Sequence, residues 1–217
     1  MNDEDKNMNS NKEEHEHRPD DQIGLNMSGH ILIKDKETGE EIVNKRNAIH
    51  YGNMARVVAQ ALNNVSEARI YFMAFGNGGT SVDTTGKIVY KTPRVSEAFE
   101  SSANLYSRTF KKIVGNNTDT DKVEVITGAT YTDLKVTCTL GFNEPSDQDL
   151  FDSSTTNEGD YIFDELSLFS FPSTPSPTDG SDPIESSNML THVIFHPVQK
   201  SLNRVIEVIY TVRVQLS

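Results

Sequence analysis

The chain of 217 residues has no tryptophan and one cysteine, and it sets only 20 lysines and arginines against 32 acidic residues. Each shortage excludes something. A single cysteine, Cys138, rules out an intramolecular disulfide and is too few for a thiolate metal cage. It falls on the apolar side of the alternating run Leu134 to Phe142, where a buried, inert core thiol is expected. A formal net charge of -12 argues against a nucleic-acid surface, because phosphate contacts need clustered cations. No run approaches the ~20 apolar residues of a membrane span, and the N-terminus lacks the apolar stretch of a secretory signal. A reducing cytoplasm is therefore the expected place of folding. Without tryptophan, a carbohydrate site that stacks an indole face loses weight, although other aromatics remain. Nucleophile-elbow, HExxH and Walker motifs are all missing, so catalysis is not expected.

What the sequence does contain is β-pattern. In the last run, Ile206, Val208, Tyr210, Val212, Val214 and Leu216 occupy every other position, with Ile209 the one apolar exception between them. Alternation of β-branched and aromatic residues marks a half-buried strand, since successive side chains leave opposite faces of the pleat. A strand this apolar belongs in the middle of a sheet. Further strands are predicted over His30–Lys34 and Glu41–Val43 as a hairpin, Ala68–Phe75 buried on both faces, Lys87–Tyr90, and from about Leu105 to Val114. Val123–Ile126, Leu134–Phe142, Asp160–Phe171 and the run after Asn188 complete the set. One amphipathic helix fits Asn47 to Leu62, with Asn47 as its cap and Tyr51, Met54, Val58, Ala61 and Leu62 on one stripe. Its polar face offers only Arg56, which does not suit a membrane-lying helix.

The expected fold is mainly β: an antiparallel β-sandwich, jelly-roll-like, with one amphipathic helix packed on it. Residues 1–22 are acidic and nearly free of large apolar side chains, so they read as a disordered arm. Residues 23–217 read as a single sandwich domain with two long loops, acidic 143–159 and Pro/Ser-rich 172–187. The second is too polar for a simple hairpin and is either mobile or a contact loop.

Five local patterns imitate functional motifs. Gly76-Asn77-Gly78-Gly79-Thr80 follows a strand but lacks phosphate-loop spacing and a following lysine. Asn116 to Asp121 starts like a calcium loop, but the positions that need glycine and glutamate hold Lys122 and Gly128. His192 and His196 sit four apart on a strand, roughly 13 Å between α-carbons, too far to share a metal. His15 and His17 lie on the acidic arm, where solvated histidines are the expectation. Asp164 and Glu165 are adjacent on a strand and should face opposite ways, which excludes a facing acid/base pair.

The run FDELSLFSF (Phe163 to Phe171), followed by LTHVIFHPVQK (Leu190 to Lys200) and IEVIYTVRVQ (Ile206 to Gln215), resembles the closing pattern of virion structural proteins of tailed bacteriophages. The block HILIKDKETGEEIVNKRNAIHYGNMA (His30 to Ala55), with FGNGGTSVD (Phe75 to Asp83), is similar to one in structural proteins of large myovirus-type phages. These stretches cover under half the chain, and the loops 143–159 and 172–187 have no counterpart in the resemblance. The resemblance implies a non-enzymatic virion component of the neck, tail or baseplate, assembled in the host cytoplasm. It would self-associate into a symmetric ring and join neighbouring virion proteins, with no cofactor, metal, nucleic acid, membrane or small-molecule substrate. Candidate subunit contacts are Phe169, Phe171 and Ile184, in or beside the long loop. Two other readings stay open: a carbohydrate-binding jelly roll serving adhesion, and a small hydrolase whose carboxylates meet only in three dimensions.

Overall fold

The C-terminal strand β11 (Ile206–Leu216) is held in the middle of a sheet, as its alternation requires. On one side it pairs with β1 (Leu25–Asp35), from Leu25 opposite Leu216 to Asp35 opposite Ile206. On the other it pairs with β8 (Thr132–Leu140), from Ile206 opposite Leu140 to Val214 opposite Thr132. Ile206, Val208, Tyr210 and Val212 are buried on its inner face. At roughly 1.5–3 kcal/mol for each large apolar side chain, this strand is a main contributor to the core. The coordinates are those of a computed structural model that describes residues 24–66, 68–142, 144–145, 160–201 and 203–216. The expected acidic arm and most of the acidic loop lie outside the described residues.

The remaining elements are β2 (Glu41–Ile49), α1 (Tyr51–Leu62), β3 (Ile70–Gly76), β4 (Thr80–Val82), β5 (Ile88–Tyr90), β6 (Arg108–Ile113), β7 (Lys122–Thr127), β9 (Asp160–Ser170) and β10 (Thr191–Ser201). Nine strands form one antiparallel sheet in the order β6-β3-β9-β10-β2-β1-β11-β8-β7. The sheet has two limbs joined at a narrow corner, where β10 meets β2 through Thr191 opposite Ile49 and His192 opposite Ala48. The limbs face one another across a shared core: Ile31, Val136 and Tyr210 from one, Met73, Phe75, Phe163 and Phe195 from the other. Phe163 packs edge-on against both Phe75 and Phe195, at centroid distances of 5.4 and 5.8 Å. Edge-to-face geometry suits the ring quadrupoles. The fold is thus mainly β, a curled antiparallel sheet layered on itself, with one helix against it.

Strand β3 is buried on both faces, as its unbroken apolar run predicts. Met73 and Phe75 enter the main core, while Phe72 and Ala74 enter a second core with Ala103, Leu105, Phe169, Ile184 and Met189. That second core lies under the 172–187 excursion. The excursion is tied down by a 3-10 turn over Pro183–Ser186 and by the hydrogen bond from Ser173 N to Ser186 O at 3.0 Å.

The helix corrects two expectations. It begins at Tyr51 with His50 as its cap, not at Asn47. Asn47 instead continues β2 opposite Gly29, because pairing with β1 and β10 keeps this stretch extended. The buried helical face is Asn53, Met54 and Val57, while Tyr51 and Leu62 are exposed. The face is rotated because Asn53 is drawn inward: its amide donates to Met189 O at 2.8 Å and Glu100 O at 2.9 Å. Beneath the helix, Met54, Val57, Met27, Ile70, Leu134 and Val212 border an apolar cavity of about 370 Å³.

Candidate functional site

The densest polar chemistry lies under the glycine turn that follows β3. Asp164 and Glu165 do leave opposite faces of β9, yet both end on that one turn, because it wraps across the end of its neighbour strand. Asp164 accepts from the backbone N–H of Gly79 at 2.8 Å and of Thr80 at 2.7 Å, and from the Thr80 hydroxyl. Glu165 accepts from the N–H of Gly78 at 3.2 Å, Tyr106 at 3.0 Å and Ser107 at 2.7 Å. The amides that a phosphate loop would turn toward a ligand are thus taken by the chain's own carboxylates. A Cβ at Gly78 would sit 2.7 Å from Ser107 Cβ, so only glycine lets the turn come this close.

His192 completes the knot. Its Nε2 lies 3.0 Å from Glu165 Oε2, and its Nδ1 accepts from Arg94 N–H at 2.8 Å. An accepting Nδ1 carries no proton, so the ring is the neutral tautomer with the proton on Nε2, donated to Glu165. Burial pushes the Glu165 carboxyl up, and the bonds from His192, Ser107 and Tyr106 outweigh it, leaving the group below its ordinary range. Asp164 moves the other way, since burial exceeds its hydrogen bonds and the Glu165 charge adds to it. Glu165 and His192 are both fully buried. With both ring nitrogens engaged and solvent excluded, the imidazole has no free atom to present to a substrate. His196, by contrast, is exposed and bonded to the Tyr90 hydroxyl at 3.1 Å, so the two histidines of β10 act separately. Among the described residues, no group of three or more metal-ligating side chains converges.

Two other reactive side chains are also enclosed. Burial drives the Cys138 thiol well above its usual pKa. Lys200 is fully buried, donates to Ser201 O at 2.8 Å, and is pulled down by burial to about 8.

The surface is the more distinctive region. Strands β4 and β5 form a ribbon that pairs with no strand of the large sheet. Its turn is organised by Asp83, whose carboxylate accepts from Thr85 N at 2.8 Å and Lys87 N at 3.0 Å, with Gly86 at φ +83°. At its base, Lys91 N donates to Gly79 O at 2.9 Å. The ribbon leaves Val82 68%, Val89 47% and Tyr90 50% exposed. On the sheet edge, β7 likewise leaves Val125 and Ile126 exposed.

Of the three expected contacts, Phe169 and Ile184 sit inside the second core, each 2% exposed. Phe171 is half-buried, with the Arg69 guanidinium 4.4 Å above its ring. The structure therefore does not bring the three together on a surface. The pairing of β4 with β5 into a separate ribbon is not legible in the sequence. The apolar run Lys87–Tyr90 marks one of its strands, while its partner Thr80–Val82 is only three residues long and follows directly on the glycine turn. Among the described residues, no helix is long and apolar enough to cross a membrane. No protein-family model, curated protein or solved structure matches this chain.

Proposed function

We propose that the protein is a non-enzymatic structural subunit of a bacteriophage particle. In this role it self-associates into a symmetric ring and joins adjacent layers of the neck, tail or baseplate. The identification with a virion rests on the resemblance of the β1–α1 block and of the closing strands. The observation that carries the assembly role is the β4–β5 ribbon. A two-stranded ribbon is marginal by itself, and this one holds Val82, Val89 and Tyr90 in water although burying a large apolar side chain gains roughly 1.5–3 kcal/mol. Seating it on a second copy of the chain recovers that energy, and one patch fitting a different patch generates a ring when the rotation closes. The enclosed Glu165–His192 pair supports a structural role, because its atoms hold backbone.

Native mass spectrometry and negative-stain microscopy test this at micromolar concentrations and above. The expected result is a closed oligomer that dissociates in a Val82→Glu/Val89→Glu variant whose melting temperature is unchanged. Antibody labelling of purified particles should place the protein at the neck, tail or baseplate. A lone monomer at high concentration, with no affinity for particles, would end this reading.

A further inference from the structure

One cavity is unrelated to the ribbon and to the buried knot. It has a volume of about 580 Å³ and opens between α1, the loop before β6, and the 172–187 excursion. This size falls within the ~300–1,000 Å³ usual for small-molecule sites. Its walls combine two kinds of surface. Phe99, Phe171 and Val65 supply apolar area, and several serines, Gln60 and Asn188 supply hydroxyls and amides.

One wall atom points to an occupant. Ser187 is 4% exposed, and its hydroxyl has no hydrogen-bond partner. A buried hydroxyl left unpaired costs about 1–3 kcal/mol, and such groups are nearly always satisfied. Its neighbours are satisfied: Ser170 Oγ accepts from Asn188 N at 3.0 Å, and Ser173 Oγ donates to Ser186 O at 3.1 Å. Ser187 is the buried exception beside the paired hydroxyls of Ser170, Ser173 and Ser186, and it borders the cavity.

Charge selects the class of occupant. The cavity has one cation, Arg56, whose guanidinium stacks on Phe99 at 4.2 Å. Its one carboxylate, Glu185, is ion-paired with Arg108. An anionic group would find a single guanidinium within a chain of formal net charge -12, and that field repels it. An apolar molecule would leave the Ser187 hydroxyl unpaired and would cut the exposed Ser101 and Ser102 hydroxyls off from water. A neutral ligand rich in hydroxyls meets both surfaces, its hydroxyls exchanging hydrogen bonds while its C–H face lies on the phenyl rings.

We propose that this cavity binds a neutral saccharide, with Ser187, Gln60 and Asn188 as hydrogen-bonding groups and Phe99 and Phe171 as apolar walls. The site lies within one subunit and does not rest on the assembly role, so either reading can fail alone.

The test is saturation-transfer NMR of the full chain with glucose, galactose, mannose, N-acetylglucosamine and lactose, beside sialic acid and inorganic phosphate. Titration calorimetry of any sugar that gives a signal then supplies its Kd. At least one neutral sugar should bind, and Gln60→Leu or Ser187→Val should weaken it at least tenfold. Gln60 is on the cavity rim, so its variant keeps the test sound should the buried Ser187 variant not fold. The proposal is overturned if no neutral sugar gives a signal, if only sialic acid or phosphate binds, or if neither variant changes the Kd.

Discussion

Lys112, on the edge strand β6, donates its ammonium proton to the Thr139 carbonyl oxygen on β8 at 2.6 Å. These strands lie near opposite ends of the sheet order, so the bond clasps the curled sheet on the side away from the β10–β2 corner. The same ammonium lies 2.6 Å from Glu144 Oε2 and 3.3 Å from Asp121 Oδ2. Asp121 in turn accepts from Thr139 N at 2.9 Å.

Removing the clasp should loosen that side. Lys112→Met leaves Asp121 and Glu144 without their cation, and breaking one partner of a largely buried pair costs about 2–4 kcal/mol. Denaturant unfolding should show that loss. Alkylation of the enclosed Cys138 should quicken in the variant under native conditions, and an unchanged rate would show that the clasp does not guard this flank.

Glu165 carries a pH dependence. Its folded-state pKa lies below the ordinary value, while the unfolded value is ~4.3. Its contribution is therefore complete above ~4.3 and is lost as pH falls through the lower folded value. Glu165→Gln should be less stable at pH 7 by about 2–4 kcal/mol, because an amide N–H₂ would face N–H donors. The gap to the wild type should narrow in melts below about pH 4. A gap that stays constant with pH would show that shape, and not charge, is what Glu165 contributes.

Gly29 and Asn47 form a cross-strand pair in which the Asn47 side chain fills the space a Cβ on Gly29 would take. From there the Asn47 amide reaches the hydroxyl of the buried Tyr210. Gly29→Ala should cost about 1–3 kcal/mol by overpacking. Adding Asn47→Ala should restore part of that loss, giving a non-additive double-mutant cycle. Additive losses would mean that the two side chains do not compete for the same space.

Lys200 is a buried cation, and the sign of its effect runs opposite to that of Glu165. Its pKa is about 8 in the folded protein and ~10.4 unfolded. Between those values the unfolded chain holds more protons, so stability rises with pH across the window. Lys200→Met should stabilise the protein by roughly 1–3 kcal/mol at pH 7, by removing the cost of a buried charge. That gain should fade in unfolding curves above about pH 10. A variant less stable at pH 7 would show that the hydrogen bond to Ser201 outweighs the charge.

Local periodicity determined most of the strands. The alternation in Ile206–Leu216 told which side chains face inward, and the unbroken run of β3 told that it is covered twice, because the pleat repeats every two residues whatever it packs against. It equally showed that Asp164 and Glu165 leave opposite faces. Pairing order, and the joining of distant groups, were decided by tertiary structure alone. Nothing local to Lys112 names Thr139, nothing in the glycine turn announces that two acids will fill its amides, and the rotated face of α1 follows from bonds that Asn53 makes to Met189 and Glu100. Such contacts link residues far apart in the chain, and their energies depend on burial, which arises only when the sheet has curled.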